Sequence, residues 1–163
     1  MLIREWRSED LQEMVQIWNA VIEEGAAFPQ MDLLDERAAV LLFESQSLTS
    51  VAVASDGRVV GLYILHPNNI GRCGHIANAS YAVSAEMQRC GIGEALVRHS
   101  LMQARRLGFR IMQYNAVVHT NQAAIKLYEK LGFTALGTIP GGFMKKDESY
   151  VDIVPFYKDI SNS

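Results

Sequence analysis

The sequence predicts a mixed α/β domain: a mostly antiparallel, twisted sheet of about seven strands with four helices. Three observations predict it. Two apolar, strand-like runs flank Asp56-Gly57, the two-residue signal of an antiparallel hairpin. Helical and strand-like segments follow one another as β-α-α-β-β-β-α-β-α-β-β, not in the regular alternation of a doubly wound fold. The 163 residues, 49% hydrophobic and 20% charged, suit one soluble domain with one sizeable core, spanning residues 1–160.

Leu2 to Trp6 reads as a first short strand. Ser8 suits the N-cap of a helix over Glu9 to Glu23, where Leu11, Met14, Val15, Trp18 and Ile22 keep helical spacing. Gly25 stops that helix and Phe28-Pro29 marks a loop. Leu33 to Glu44, rich in Ala and Leu, is a second helix. Ser50 to Ala54 and Val59 to Leu65 are the hairpin strands. His66-Pro67-Asn68-Asn69 breaks the pattern, Gly71 to Gly74 turns, and Ile76 to Val83 is the next strand. From Glu94 to Leu107 a helix, with Ile92 just before it, directs Ile92, Leu96, Val97, Leu101, Ala104 and Leu107 inward, with His99 on its outward face, and Gly108 ends it. Ile111 to Val118 is apolar on both faces, as a central strand should be. Asn121 caps a helix that closes on Leu131-Gly132-Phe133. Thr134 to Ile139 and Tyr150 to Phe156 are the last strands, with Pro140-Gly141-Gly142 opening the turn between them and 145–148 as its charged tip. Ser161 to Ser163 is expected to fray.

The net charge of −3 leaves no basic excess for nucleic acid. No apolar run reaches the roughly 18 residues of a membrane span, and Met1 to Trp6 lacks the apolar core of a signal peptide. Cys73 and Cys90 form no Cys-x-x-Cys pair, and His66, His75, His99 and His119 lack metal-ligand spacing. These features predict a cytoplasmic protein with no metal, no nucleic-acid partner and no membrane partner.

Gln88 to Gly93 carries the most chemical information. Two glycines one residue apart stand where a strand gives way to a helix. Backbone amides at a helix start are unpaired and lie at its positive end, so an anion such as a pyrophosphate is favoured there. A glycine pair alone also serves a plain tight turn. A dinucleotide fingerprint would need a third glycine, and a P-loop would need Gly-Lys-Ser/Thr; neither is present.

The strand, Gln88-x-x-Gly91-x-Gly93 and the following helix resemble the acetyl-CoA-binding motif of the GNAT superfamily of N-acyltransferases. The pattern Asn121-x-x-Ala124-x-x-x-Tyr128-x-x-x-Gly132-Phe133 extends the resemblance, and the element order matches that fold over nearly the whole chain. The Phe28 loop and the segment from Gly142-Phe143 to Asp152 are similar to the phosphinothricin acetyltransferase-like branch. The resemblance implies acetyl-CoA as co-substrate, its pyrophosphate held by the amides of Arg89, Cys90, Gly91, Ile92, Gly93 and Glu94 after Gln88. It implies that the preceding strand splays from its neighbour, so that the pantetheine arm pairs with backbone near Ala82 and Val83. It implies a pantetheine contact for Asn121, and for Tyr128 a place beside the sulfur as proton donor to the departing thiolate. On the bland reading, Asn121 is a helix cap and Tyr128 a core aromatic.

Acetylation requires a neutral amine, so a base or a water chain must take a proton. Many family members carry an acidic residue on the strand before the loop; here 75–83 has none. Glu24, beside the Gly25 loop, is the first candidate, with His75 and Glu86 as others. Phe28, Asn78 and Phe143 are expected to line the acceptor pocket, with Ser80 on the same strand face as Asn78. The expected activity is direct acetyl transfer to the primary amine of a small molecule, such as an amino acid or analogue. The alternatives are a non-catalytic acyl-CoA-binding sensor and a mononucleotide-binding protein. An edge-strand homodimer is compatible with the fold.

Overall fold

The computed structural model describes residues 1–162, so Ser163 of the tail lies outside the described residues. Eight strands and four helices follow in the order β1 (Leu2–Glu5), α1 (Leu11–Glu24), α2 (Glu36–Glu44), β2 (Leu48–Val53), β3 (Val59–Pro67), β4 (Ile76–Val83), α3 (Ile92–Arg106), β5 (Ile111–Val118), α4 (Gln122–Lys130), β6 (Thr134–Ala135), β7 (Ile139–Met144) and β8 (Tyr150–Asp159). The strands form one sheet in the order β1-β2-β3-β4-β5-β8-β6, with β7 also paired to β8. All pairings are antiparallel except β4 with β5.

Helix starts differ from the sequence expectation for identifiable reasons. Ser8 does not cap α1; it lies in a 3-10 turn, Ser8–Asp10. Asp10 closes that turn, accepting the Arg7 N–H at 2.8 Å and a guanidinium fork from Arg4 at 2.7 and 2.9 Å, and its side chain makes no cap hydrogen bond to α1. A carboxylate with charge-assisted partners outcompetes a serine hydroxyl at such a position. The second helix begins at Glu36, not Leu33. Asp35 caps it through Ala38 N–H at 2.7 Å, and Leu34 is held in the loop by both amide atoms of Asn19.

The C-terminal part also departs from expectation. Thr134 to Ile139 is split into β6 and β7 around Leu136–Thr138, which raises the strand number to eight. Pro140-Gly141-Gly142 lies within β7, where a Cβ on Gly142 would come 2.5 Å from Ile153, so β7 hugs β8 closely. The turn itself is 145–149, closed by Lys145 N–H to Ser149 O at 2.8 Å. Ser161 is tethered to Asp159 through its N–H and its hydroxyl, not frayed.

The sheet carries a core on each face. Toward α1 and α2 lie Met14, Trp18, Ile22, Phe28, Phe43, Leu62, Ile64 and Ala82; toward α3 and α4 lie Tyr63, Leu65, Ala79, Leu96, Tyr114 and Phe156. The period-2 alternation of β3 and β4 feeds both layers. Trp18, 1% exposed, packs on Phe28 at 4.5 Å and on Phe43 at 5.9 Å; truncating a residue so placed costs about 3–5 kcal/mol. Gly61 of β3 allows a close approach. A Cβ there would meet Ala82 O, Ile92 Cγ2 and Leu96 Cδ1, each at 3.1 Å. Its absence lets the first turns of α3 sit down on β3 and β4, which fixes the glycine loop over the end of β4.

Candidate active site

The central parallel pair opens into a cleft. Strands β4 and β5 pair only at Ile76–Ile111 and Ala77–Met112 and then separate. Beyond that point β4 turns the backbone of Asn78 to Val83 toward a gap. An irregularity in β5 lies beside the gap: Tyr114 pairs with Phe156 but Val117 with Val154, so an extra residue is inserted at Asn115–Ala116. Such a bulge bends its strand and re-aims its side chains. The cleft has a volume of about 310 Å³, within the range of small-ligand sites. It brings together Phe28, Asn78, Ser80, Tyr81, Tyr114, Asn121 and Tyr128.

The glycine loop stands at the end of β4. After a 3-10 turn, Ala85–Met87, Arg89 and Gly91 both take left-handed backbone, with φ of 62° and 78°. Gly91 adopts it without steric cost, and it ends the loop as the N-cap of α3, where no described side chain caps the helix. A Cβ on Gly91 would have nothing within 4 Å, and one on Gly93 only Val83 at 4.0 Å. The left-handed backbone accounts for Gly91, whereas packing within the chain gives no reason for a small residue at Gly93; space for a ligand against the helix amides does. Gln88, Arg89 and Cys90 are exposed, whereas Ile92 is buried and anchors the turn, so it can offer only its amide. Glu94 would repel an anion here, but Lys130 at 2.7 Å and Arg98 at 2.8 Å bind its carboxylate and hold it below the usual carboxylate range. These residues fit a pyrophosphate.

One wall of the cleft, on the α3/α4 side, is built from tyrosines. The Tyr128 ring lies 4.5 Å from that of Tyr114 and 5.5 Å from that of Phe133. Burial pushes the Tyr81, Tyr114 and Tyr128 phenols well above their ordinary value, and the neighbouring phenols add to it for Tyr81 and Tyr114. All three are therefore neutral O–H groups near pH 7. Their hydrogen bonds have a direction. Ser100 donates to the Val97 carbonyl at 2.7 Å. Tyr81, 2.7 Å from Ser100, then donates to the serine, and Tyr114, 2.5 Å from Tyr81, donates to Tyr81. The chain ends on a carbonyl, which has no proton to pass on. The Tyr128 hydroxyl has no hydrogen-bond partner among the described residues and is left for a ligand. Asn121 caps α4 through Oδ1 to Ala124 N–H at 3.3 Å, which leaves its Nδ2 for a ligand. Next to this wall His99 is half-buried, not outward-facing as its helical position suggests, while Leu107, expected inward, lies past the last turn of α3 and is exposed. The His99 Nδ1 is hydrogen-bonded to the Tyr63 hydroxyl, 2.9 Å away; burial pushes that phenol up to about 12.

The other wall faces α1. Phe28, Pro29 and Gln30 cover it, and Asn78 bonds to Asn68 Oδ1 at 3.2 Å, within an amide cluster that includes Asn115. His66 also lines this wall, on a strand where the sequence suggests a loop. The other expected site residues lie elsewhere. Phe143 is buried with Val118 and Ile153, and it borders two adjoining hollows of about 390 and 270 Å³; Phe28 to Gln30 separate the first from the cleft. Glu24 is exposed in the smaller of these, outside the cleft. His75 is exposed at the start of β4, and Glu86 pairs with Arg58 at 3.6 Å. A larger hollow, about 680 Å³, lies along α3 among Arg98, Arg105, Arg106, Lys130 and Lys158. It contains none of the groups that acyl transfer needs.

Proteins similar to this chain include acetyltransferases. The profile of the Acetyltransferase (GNAT) family matches residues 4–133. The N-acetyltransferase aca1 of Schizosaccharomyces pombe is 40% identical over 95 residues, 58% of this chain and 46% of that protein. The chain thus spans less than half the length of that relative. A solved GCN5-related N-acetyltransferase from Kribbella flavida is 32% identical, with a TM-score of 0.89 over 97% of this chain and 96% of that one. The GNAT superfamily phosphinothricin acetyltransferase (Pat) from Sinorhizobium meliloti, solved in complex with AcCoA, has a TM-score of 0.90 over 97% and 87% of the two chains. At 21% identity that last likeness is one of fold. This chain belongs to the acetyltransferase (GNAT) family.

Proposed function

We propose that the protein transfers the acetyl group of acetyl-CoA directly to the primary amine of a small molecule, an amino acid or amino-acid analogue being favoured. One observation carries the reading. The open edge of β4 and the Tyr128 hydroxyl, unpartnered among the described residues, border one cleft, and the uncapped glycine loop follows at the end of the same strand; this succession suits thioester, pantetheine and pyrophosphate in turn. Acetyl-CoA supplies an acyl carbon already activated by its thiol leaving group. The amides from Arg89 to Glu94 hold the pyrophosphate, and the backbone near Ala82 and Val83 pairs with the pantetheine arm as an added strand. Asn121 Nδ2 donates to that arm. An amide on the open edge of β4 stabilises negative charge on the carbonyl oxygen during attack. Tyr128, kept protonated by burial, donates to the departing sulfur. Phe28 and Asn78 receive the amine, and the hollow at Phe143 takes the remainder of the acceptor.

A second reading, a non-catalytic acyl-CoA sensor, draws on the cleft wall, which holds no carboxylate among the described residues. Thiol release from acetyl-CoA across a panel of amino acids, polyamines and peptide N-termini separates the two. Release that depends on a small primary amine supports transfer. Stabilisation by CoA without release above hydrolysis for any amine favours the sensor, and stabilisation by ATP in place of CoA overturns both.

A further inference from the structure

We propose that His66 is the general base of the transfer reaction, taking the ammonium proton at Nε2; the inference rests on reading the cleft as an amine acetyltransferase site. His66 stands near the end of β3 and lines the cleft. Its register partner on β4 is Asn78. It shares a strand face with Leu62 and Ile64, which pack under α1 and α2. His66 therefore belongs to the wall that receives the amine, opposite the tyrosines.

Its tautomer is set by a hydrogen bond. Nδ1 lies 2.9 Å from the Pro67 carbonyl oxygen. A carbonyl can only accept, so Nδ1 carries the proton and Nε2 presents a lone pair. Among the described residues, no Asp, Glu, Lys or Arg lines the cleft. The residues that share its part of the cleft are amides and apolar groups: Asn78, its register partner across the ladder, and Phe28 to Gln30 in the lining. The remaining ionisable groups are the phenols Tyr81, Tyr114 and Tyr128, all held neutral by burial. The tyrosine wall cannot export a proton, because its chain from Tyr114 through Tyr81 and Ser100 ends on the Val97 carbonyl. The proton must leave on the other side. There, among the described residues, His66 is the one cleft side chain that carries an imidazole, the group that most often serves as a general base.

The proton balance is complete. An alkylammonium has three N–H protons and the amide product keeps one. His66 Nε2 removes the first, which frees the nitrogen lone pair, and passes it to solvent at the partly exposed rim. The nitrogen then forms its bond to the acyl carbon as the carbon–sulfur bond breaks. The second proton ends on the CoA sulfur by way of Tyr128, which is protonated again when the cycle closes.

The test uses the full chain with acetyl-CoA and the best amine from the panel. His66→Gln is expected to lower kcat about 100-fold or more, while the KM for acetyl-CoA stays within about two-fold of the wild type. The acid limb of the wild-type kcat profile, read at saturating amine, is expected to disappear in this variant. Added imidazole is expected to restore part of the rate to His66→Ala, which a merely structural role would not allow. Glu44→Gln, an exposed carboxylate at the end of α2, serves as the control and keeps the wild-type rate. Wild-type turnover in His66→Gln, or a collapse of kcat in Glu24→Gln with His66 intact, overturns the assignment and leaves the acetyltransferase reading standing. A wild-type protein inert toward every amine overturns that reading, and this one with it.

Discussion

Replacing Tyr128 by Phe separates chemistry from packing with little ambiguity. The ring's neighbours are Tyr114 at 4.5 Å, Phe133 at 5.5 Å and Phe156 at 5.9 Å, and a phenylalanine ring keeps all of them. The hydroxyl has no partner among the described residues, so its removal orphans no buried group. Unfolding stability should therefore stay within about 0.5 kcal/mol of the wild type. Loss of a proton donor to the leaving sulfur should lower kcat about 10- to 100-fold, roughly 1.4–2.8 kcal/mol of barrier. The KM for acetyl-CoA should change little, because the loop amides and the β4 edge hold the rest of the molecule. Burial raises the Tyr128 phenol, so the wild-type kcat should show no alkaline decline from this group at or below its ordinary value. The assay is thiol release at saturating amine, with urea denaturation of both proteins. Undiminished kcat in Tyr128→Phe would remove the residue from the chemistry; an equal loss of kcat and stability would make it a core residue.

Three further outcomes are expected. Ser100→Ala leaves the Tyr81 hydroxyl without its acceptor in a buried position and should cost about 1–3 kcal/mol in urea denaturation; an unchanged midpoint would mean that the hydroxyl chain is not formed. Asp10→Asn should cost about 1.5–3 kcal/mol at pH 7. The Asp10 pKa is lowered on folding, because the Arg4 and Arg7 bonds together outweigh burial, so its contribution is present above the ordinary value of 3.8 and is lost as pH falls through the lowered folded value. The gap between the two proteins in denaturation midpoint should therefore close in acid; a gap independent of pH would contradict this. Lys130→Met, which frees one side of the Glu94 carboxylate beside the loop, should raise the KM for acetyl-CoA about two- to five-fold. An unchanged KM would show that the carboxylate does not feel the bound anion.

Local signals in the sequence mark the donor half of the site. The glycine pair, the Asn121 cap and the spacing to Tyr128 each lie within one loop or one helix, and β4 and β5 match the strand-like runs residue for residue. The acceptor half is legible only in part. Phe28 and Asn78 line the cleft, but Phe143 is separated from it by the Phe28–Gln30 segment. Proline misleads twice. Pro67 makes His66 look like a loop residue, although Pro67 itself closes β3 as its last residue, and Pro140 makes an edge strand look like a turn. A missing N–H costs little at a strand end or on an edge strand. The Tyr114–Tyr81–Ser100 chain joins β5, β4 and α3. A one-residue bulge in β5 lies beside it, and no local pattern announces either feature.

The most direct test is a mass measurement. Incubation with acetyl-CoA and a small primary amine should yield that amine heavier by one acetyl group, in equal amount to the free thiol released. A Gly93→Val variant, whose side chain would occupy the space over the loop amides, should form no such product while remaining folded. Thiol release without acetylated amine, or full activity in the Gly93→Val protein, would contradict direct transfer from a donor seated on the glycine loop.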